Sequence, residues 1–464
     1  MNRLIVVSNR VASPAKNGCP GGLASGLLDA LRQIGGLWFG WNGEIKDDAG
    51  ALSIQEEGEI TFVTTSLTRQ QFQQYYCGFA NSMLWPVFHY RTDIANYNSN
   101  DYAGYCQVNT LLAKKLIPLL RPDDLLWVQD YHLIPFAHSC RQLGVRNRIG
   151  FFLHTPFPCA EIARTIPPHH DLFGYLADYD LVGFQTETDH QAFLDYARRF
   201  NVNQGVPPTG VYPIGIAPDA VTKMAEDHQQ NAILKGHSHQ APETQVIFGV
   251  DRLDYSKGLP ERFQGYERFL ETYPDYRRQV QFVQMAATTR EDLTCYRRIH
   301  QQLNAEVGRI NGRFGDVDWL PLNYLNQSCS RACLAGLMRQ ARVGLVTPLR
   351  DGMNLVAKEY VAAQDADNPG VLILSCFAGA AQELDAALMV NPHDADEVAM
   401  ALDRALTMSL SERKARHRAM MQVLNKNTIA DWHGTFLTDL RKVRPTNTPL
   451  RERLGAFAGD AAHL

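Results

Sequence analysis

Gln245-Val246-Ile247-Phe248-Gly249-Val250 runs directly into Asp251-Arg252-Leu253-Asp254-Tyr255-Ser256-Lys257-Gly258. The first six residues are rich in β-branched and aromatic side chains and read as a buried strand. The charged octapeptide reads as the loop at that strand's carboxyl end. The same strand pattern recurs at Arg3 to Ser8, Leu125 to Gln129, Ile149 to Leu153 and Leu181 to Phe184, and later at Val280 to Met285, Arg342 to Val346 and Val371 to Ser375. Helical patterns lie between them, at Ala24 to Leu31, Asn109 to Leu120, Thr186 to Phe200, Glu291 to Arg309 and Asn354 to Ala363. This alternation predicts βαβ units, parallel sheets and an α/β fold.

The alternation pauses in KMAEDHQQNAILKGHSHQAPET, Lys223 to Thr244, a polar stretch rich in Gln and His. It reads as a linker, and His237 and His239 read as solvated linker histidines rather than metal ligands. The expected organisation is therefore a domain over residues 1–223, a linker over 224–244, a second domain over 245–442 and a loose tail over 443–464. Two consecutive α/β halves imply a cleft, because such sheets bind ligands beyond their strand carboxyl ends.

Bulk properties exclude several classes. Across 464 residues, 45 basic and 49 acidic side chains leave a formal charge of -4, without the basic excess of a nucleic-acid binder. No window approaches eighteen apolar residues, so no membrane span is expected. The N-terminal apolar run Leu4 to Val7 is too short for a signal segment. Nine cysteines without a CxxC pair are expected to be reduced, small buried residues of a cytoplasmic protein.

Four segments carry candidate chemistry. Arg252 and Lys257 share a strand-end loop where both cations can reach one diphosphate; the alternative is a surface ion-pair network with Asp251 and Asp254. Thr347 to Glu359 (TPLRDGMNLVAKE) has a strand leading in and a helix leading out. Gly352 allows close approach to the backbone amides of a helix start, Asp351 suits sugar hydroxyls and Glu359 suits a ribose; the alternative for Glu359 is an exposed helix residue paired with Lys358 or a neighbouring cation. Gly21-Gly22 precedes a helix without forming a GxGxxG fingerprint. Gln129-Asp130-Tyr131-His132 and His154-Thr155-Pro156 close two strands of the first half; His154 reads as a proton carrier or, more commonly, a structural histidine. Tyr75-Tyr76, Trp85-Pro86, Trp38 and Trp41 lie in aromatic-rich segments that serve as core or as sugar-stacking surface. No metal-ligand cluster or nucleophile motif is evident.

Taken together, LWFGWNGE (Leu37 to Glu44), DYHL (Asp130 to Leu133), FFLHTPFP (Phe151 to Pro158), RLDYSKGLPER (Arg252 to Arg262) and TPLRDGMNLVAKEYVA (Thr347 to Ala362) resemble the trehalose-6-phosphate synthase family, from Arg3 to about Leu440. The resemblance implies a GT-B fold, two Rossmann-like domains facing a central cleft, with terminal helices crossing back to the first. It implies transfer of glucose from UDP-glucose to glucose 6-phosphate, giving α,α-trehalose 6-phosphate with retention, no metal or cofactor, and a homo-oligomer, a tetramer by family pattern. It places the donor on Gly21, Gly22, Arg252, Lys257, Cys329, Asp351, Gly352, Met353, Asn354, Leu355, Val356 and Glu359. Cys329 stands where the family often has an aromatic near the base. The acceptor falls to Arg10, Tyr76, Trp85, Asp130 and Arg290, and catalysis to Asp130, His154, Arg252, Lys257 and Asp351. Arg10 and Arg290 end strands of different halves and are expected to meet one sugar phosphate; the alternative is that each caps its own domain. Two rival functions are a related transferase with a different sugar- or polyol-phosphate acceptor, and a non-catalytic sugar-phosphate sensor.

Overall fold

The computed structural model describes residues 3–11, 22–47, 50–200, 206–228, 244–290 and 293–443. The chain forms two compact units. One is built on Leu27–Tyr212 with residues 3–11 and 433–443, the other on Pro213–Trp432 with residues 22–26.

The first unit holds an eight-stranded sheet: β1 (Leu4–Arg10), β2 (Gly36–Ile45), β3 (Leu52–Glu57), β4 (Ile60–Leu67), β5 (Leu125–Gln129), β6 (Arg148–Phe152), β7 (Leu181–Phe184) and β8 (Thr209–Val211). Their order is β3-β4-β2-β1-β5-β6-β7-β8. All pairings are parallel except that of β3 with β4. The central strands β1 and β5 are apolar runs buried on both faces, the mark of a parallel sheet covered by helices. The edge strand β3, LSIQEE, is exposed almost throughout, and its acidic end blunts the edge.

The second unit holds a six-stranded parallel sheet of β9 (Gln245–Arg252), β10 (Val280–Ala287), β11 (Leu322–Leu325), β12 (Val343–Val346), β13 (Val371–Ser375) and β14 (Leu388–Val390). Its order is β11-β10-β9-β12-β13-β14. Several helices start where a side chain caps the first turn. Thr186 accepts from the Asp189 amide (3.1 Å) at the start of Glu187–Arg199, and Asp394 caps Ala395–Thr407.

Several expectations need correction. The polar stretch beginning at Lys223 starts inside a helix, Pro218–Asp227, because Pro218 opens it and Val221 and Ala225 bury one face. Residues 229–243, with His237 and His239, lie outside the described residues, as do Gly21 and the tail beyond residue 443. The aromatic segment around Tyr75 and Tyr76 is a π-helix, Phe72–Leu84, a form uncommon outside functional regions. The cysteines are not uniformly buried thiols. Cys329 and Cys333 are joined as a disulfide, because a spacing of four across the start of the helix Arg331–Gln340 brings their Cα atoms to 6.1 Å. Cys376 is exposed, and Cys106, Cys159 and Cys295 are partly so. No helix among the described residues is long and apolar enough to cross a membrane.

The last helix, Ile429–Lys442, closes the first unit's core. Phe436 is fully buried, stacks on Trp127 at 5.2 Å and meets Phe152 and Tyr212 edge-on. Gly150 and Gly183 make room for it; a Cβ on either would lie 2.8 Å from the Phe436 ring. Phe436→Ala is expected to cost about 3–5 kcal/mol, the range for emptying a buried aromatic site. Urea unfolding with a midpoint close to that of the unsubstituted protein would show that this helix does not seal the core.

Candidate active site

In each sheet the strand order reverses at one point, and ligands of open α/β sheets bind beyond the carboxyl ends of the strands there. In the second unit the reversal lies between β9 and β12. Arg252 ends β9 and is exposed, and a short turn, Tyr255–Lys257, follows it. Gly258 then takes φ 63°, and a Cβ there would meet the Thr347 carbonyl at 2.6 Å.

Three carboxylates gather at this point, each with a cation. Arg262 is fully buried and holds Asp251 at 2.5 Å; it also donates to Thr347 Oγ1 at 2.9 Å and Gln284 Oε1 at 2.8 Å. Burial pushes the Asp251 carboxyl pKa up, while Arg262 and then Lys257 oppose that shift. Lys257 contacts Asp351 from across the reversal. Arg290 reaches Asp254 at 3.1 Å. Asp251 and Asp254 are therefore matched to Arg262 and Arg290, and Lys257 to Asp351, rather than forming the surface network weighed from sequence.

The loop after β12 is braced from behind. Asp351 bridges to Ala378, Gly379 N–H donates to the Asp351 carbonyl (3.0 Å) and Ala380 N–H to the Met353 carbonyl (2.7 Å). Asn354 takes φ 77° and caps the helix Leu355–Ala363 by accepting from Ala357 N–H at 3.2 Å; its amide donates to Asp351 Oδ2 at 3.0 Å. This leaves Gly352 and the residues Met353, Asn354, Leu355 and Val356 at a helix start, where backbone N–H groups and the helix dipole favour an anion or sugar hydroxyls. Glu359, one turn along, is paired with Arg331 at 2.9 Å. Burial raises its pKa, and Arg331 opposes the rise. Lys358 is not its partner: fully buried, it donates to the Ile214 carbonyl at 2.8 Å and pairs with Glu383 at 2.5 Å. Cys329 precedes the Ser330 cap of the helix that carries Arg331.

In the first unit the reversal lies between β1 and β5. Arg10 ends β1, and Asp130 follows β5 in a positive-φ conformation (73°). Asp130 Oδ1 accepts from His154 N–H at 3.1 Å. An unbroken run of rings links the other candidates. Arg10 lies over Trp41 (5.9 Å), Trp41 meets Tyr76 (5.6 Å), Tyr76 stacks on His132 (5.8 Å), His132 meets Tyr131 (4.0 Å) and Tyr131 meets Trp85 (5.7 Å). The π-helix, by its wide turn, supplies Tyr76 to this run.

His154 is fixed rather than mobile. Nε2 lies 2.9 Å from Gln129 Oε1, and Nδ1 lies 3.1 Å from the Gln185 amide nitrogen. With those amide assignments Nε2 carries the proton and Nδ1 accepts. Burial pulls its pKa down to about 3. The imidazole is therefore neutral in the physiological range, which favours the structural reading over proton carriage.

Within the first unit Arg10, Tyr76, Trp85, Asp130 and His154 thus form one group. Within the second, Arg252, Lys257, Arg290, Asp351 to Val356 and Glu359 form another. Gly22 begins the helix Gly22–Ile34. Sequence reasoning missed Arg262, Arg331, Tyr296 and Gly379, whose roles depend on partners up to 85 residues away. Five non-glycine residues among those described have positive φ, and three of them, Asp130, Arg290 and Asn354, are candidate site residues. Such backbone strain concentrates at functional sites. Among the described residues no group of three His, Cys, Asp or Glu side chains is arranged to hold a metal ion.

Two α/β sheets, each with candidate residues at its strand-order reversal, fit the GT-B class of glycosyltransferases. The sequence matches Glycosyltransferase family 20 over residues 9–442, and the chain belongs to that family. It is 51% identical over 471 residues to trehalose-6-phosphate synthase of Klebsiella pneumoniae, covering 98% of this chain and 99% of that one. It is similar to an alpha,alpha-trehalose-phosphate synthase (UDP-forming) from Burkholderia xenovorans solved in complex with glucose-6-phosphate, with TM-score 0.91, 49% identity, and coverage of 95% of this chain and 100% of that one. A third relative, from E. coli and bound with UDP-2-fluoro glucose, gives TM-score 0.92 at 50% identity over 96% of this chain and 100% of that one.

Two outcomes follow from this geometry. His154 has an ordinary pKa of about 6.5 in the unfolded chain, and a lowered one when folded. Between those values the unfolded state binds the extra proton, so the stability from neutral His154 is present above about pH 6.5 and is lost as pH falls towards 3. The thermal midpoint is expected to fall across that acid range, and to fall less steeply in His154→Asn; equal slopes would contradict the assignment. At Gly379, a Cβ would lie 1.9 Å from the Gly352 carbonyl oxygen. Gly379→Ala is therefore expected to displace the Asp351 loop and cost about 1–3 kcal/mol of stability, the range for overpacking a packed site. A urea midpoint equal to that of the unsubstituted protein would show that the brace is dispensable.

Proposed function

We infer that the protein transfers glucose from UDP-glucose to glucose 6-phosphate, giving α,α-trehalose 6-phosphate with retention and releasing UDP. The observation that carries this reading is the β9–β12 reversal, where Arg252 ends β9 and Lys257 contacts Asp351 just before the helix Leu355–Ala363. The relatives support it: one is named a UDP-forming synthase solved with glucose-6-phosphate, another was solved with a fluorinated UDP-glucose.

On this reading Arg252 and Lys257 take the donor diphosphate, with Lys257 exchanging Asp351 for phosphate oxygens. Asp351 and the backbone from Gly352 to Val356 take the glucose hydroxyls, Glu359 the ribose, and Cys329 and Gly22 lie beside the nucleotide. Within the first unit Arg10, Tyr76, Trp85 and Asp130 are the candidate glucose 6-phosphate ligands, and within the second Arg290 is the candidate ligand of its phosphate. As the glycosidic C–O bond breaks, negative charge grows on the UDP phosphate, and preorganised cations and a helix start stabilise it. The acceptor hydroxyl attacks from the same face and passes its proton to a departing phosphate oxygen. That route needs no protein nucleophile, no metal and no organic cofactor, and it is the His154 backbone N–H, not the imidazole, that holds Asp130. The family resemblance alone supports a cytoplasmic homo-oligomer.

The test is UDP release with and without glucose 6-phosphate. Release that depends on the acceptor is expected, and Arg252→Ala or Lys257→Ala is expected to lose about 2–4 kcal/mol of transition-state stabilisation in kcat/KM. Near-normal turnover in both variants, or release indifferent to the acceptor, would overturn the assignment.

A further inference from the structure

Asp254 is fully buried, and each of its carboxylate oxygens has a distinct task. Oδ1 accepts from Ser256 N–H at 3.0 Å and so caps the turn Tyr255–Lys257 that presents Lys257. Oδ2 accepts from Arg290 Nη1 at 3.1 Å and from the Tyr296 hydroxyl at 2.8 Å. The Tyr296 hydroxyl in turn accepts from Arg290 Nη1 at 2.5 Å, closing a triangle of hydrogen bonds. Tyr296 is buried in the first turn of the helix Thr294–Phe314, and burial holds its phenol protonated, as this donor role requires. The Arg290 guanidinium also lies 5.6 Å from the Tyr296 ring centre.

Arg290 itself follows β10 with φ 51°, a conformation that costs a residue bearing a side chain free energy. Its position is therefore not set by local backbone preference. It is set by a buried charge pair whose exposed fractions are 5% for Arg290 and 0% for Asp254. A guanidinium is an effective phosphate ligand only when its fork is held in register with the phosphate oxygens.

We propose that Asp254, with Tyr296, is the positioning residue for Arg290, and that this triangle sets recognition of the acceptor's phosphate while the other carboxylate oxygen serves the donor turn. The inference rests on the reading of Arg290 as an acceptor-phosphate ligand. The two oxygens make it separable by experiment. In Asp254→Asn the remaining carbonyl still caps Ser256, because Asn is as good a cap as Asp. The new NH2 replaces the oxygen that accepts from Arg290 and Tyr296.

Steady-state kinetics of the full chain, varying each substrate in turn, reads the outcome. Asp254→Asn is expected to raise the KM for glucose 6-phosphate at least about tenfold, the scale of a displaced positioning group, with the KM for UDP-glucose changed by less than about twofold. Tyr296→Phe is expected to move the same parameter in the same direction by a smaller factor, and it serves if Asp254→Asn does not fold. Adding Asp254→Asn to Arg290→Ala is expected to produce little further effect, because both act through one group. A glucose 6-phosphate KM that is unchanged or lowered, a parallel rise in both KM values, or additive effects in the double variant would each overturn the proposal. If Arg290→Ala alone leaves the glucose 6-phosphate KM unchanged, the reading of Arg290 fails first and takes this inference with it.

Discussion

The second unit is organised by the matching of buried charge at the carboxyl end of β9. Asp251 and Asp254 are close in sequence, and Asp351 reaches the same point from β12. A buried carboxylate without a partner is costly, so each must be given a cation or lose its charge. The chain draws those cations from three places. Arg262 comes from the helix Leu259–Thr272, Lys257 from the turn that follows β9, and Arg290 from beyond β10. This constraint fixes the loops on which the candidate donor and acceptor groups stand. It also explains why Arg262, a fully buried arginine, touches no proposed ligand: it holds Asp251, Thr347 and the Lys257 carbonyl in register.

The sheets were legible from sequence where strands are buried on both faces. Leu125–Gln129, Leu181–Phe184 and Val371–Ser375 occur with the bounds their apolar runs predict, because a parallel interior strand has no polar face to break the signal. The missed strands are mostly of other kinds. β3 is an exposed acidic edge, β2 is interrupted by glycines among its aromatic residues, and β8, β11 and β14 are three or four residues long. The exception is β4, which is buried, but its hydroxyl residues Thr61, Thr64, Thr65 and Ser66 break the apolar run. The π-helix Phe72–Leu84 has no period that an α-helical template would find.

The site was legible to the extent that it lies in continuous segments. The octapeptide after β9 and the loop Thr347 to Glu359 stand at strand ends, as their glycines and charges suggest. Their partners were not legible. Glu359 looked ready to pair with adjacent Lys358, but successive helix residues point in different directions: Lys358 is turned into the core towards Glu383, while Glu359 meets Arg331. His154 reads as a proton carrier or, more commonly, as a fixed structural histidine. Gln129 and Gln185 settle its surroundings, and neither is near it in sequence. A neutral, doubly hydrogen-bonded imidazole leaves proton transfer to substrate groups, as the proposed route requires.

The most direct test of this account is the anomeric configuration of the product. With UDP-glucose labelled with carbon-13 at C1 and unlabelled glucose 6-phosphate, the account predicts one phosphorylated disaccharide. Its labelled anomeric carbon should be α-configured and bonded through oxygen to C1 of the acceptor, with UDP released in equal amount. A β-configured product, a linkage elsewhere on the acceptor, or labelled free glucose as the main species would contradict it.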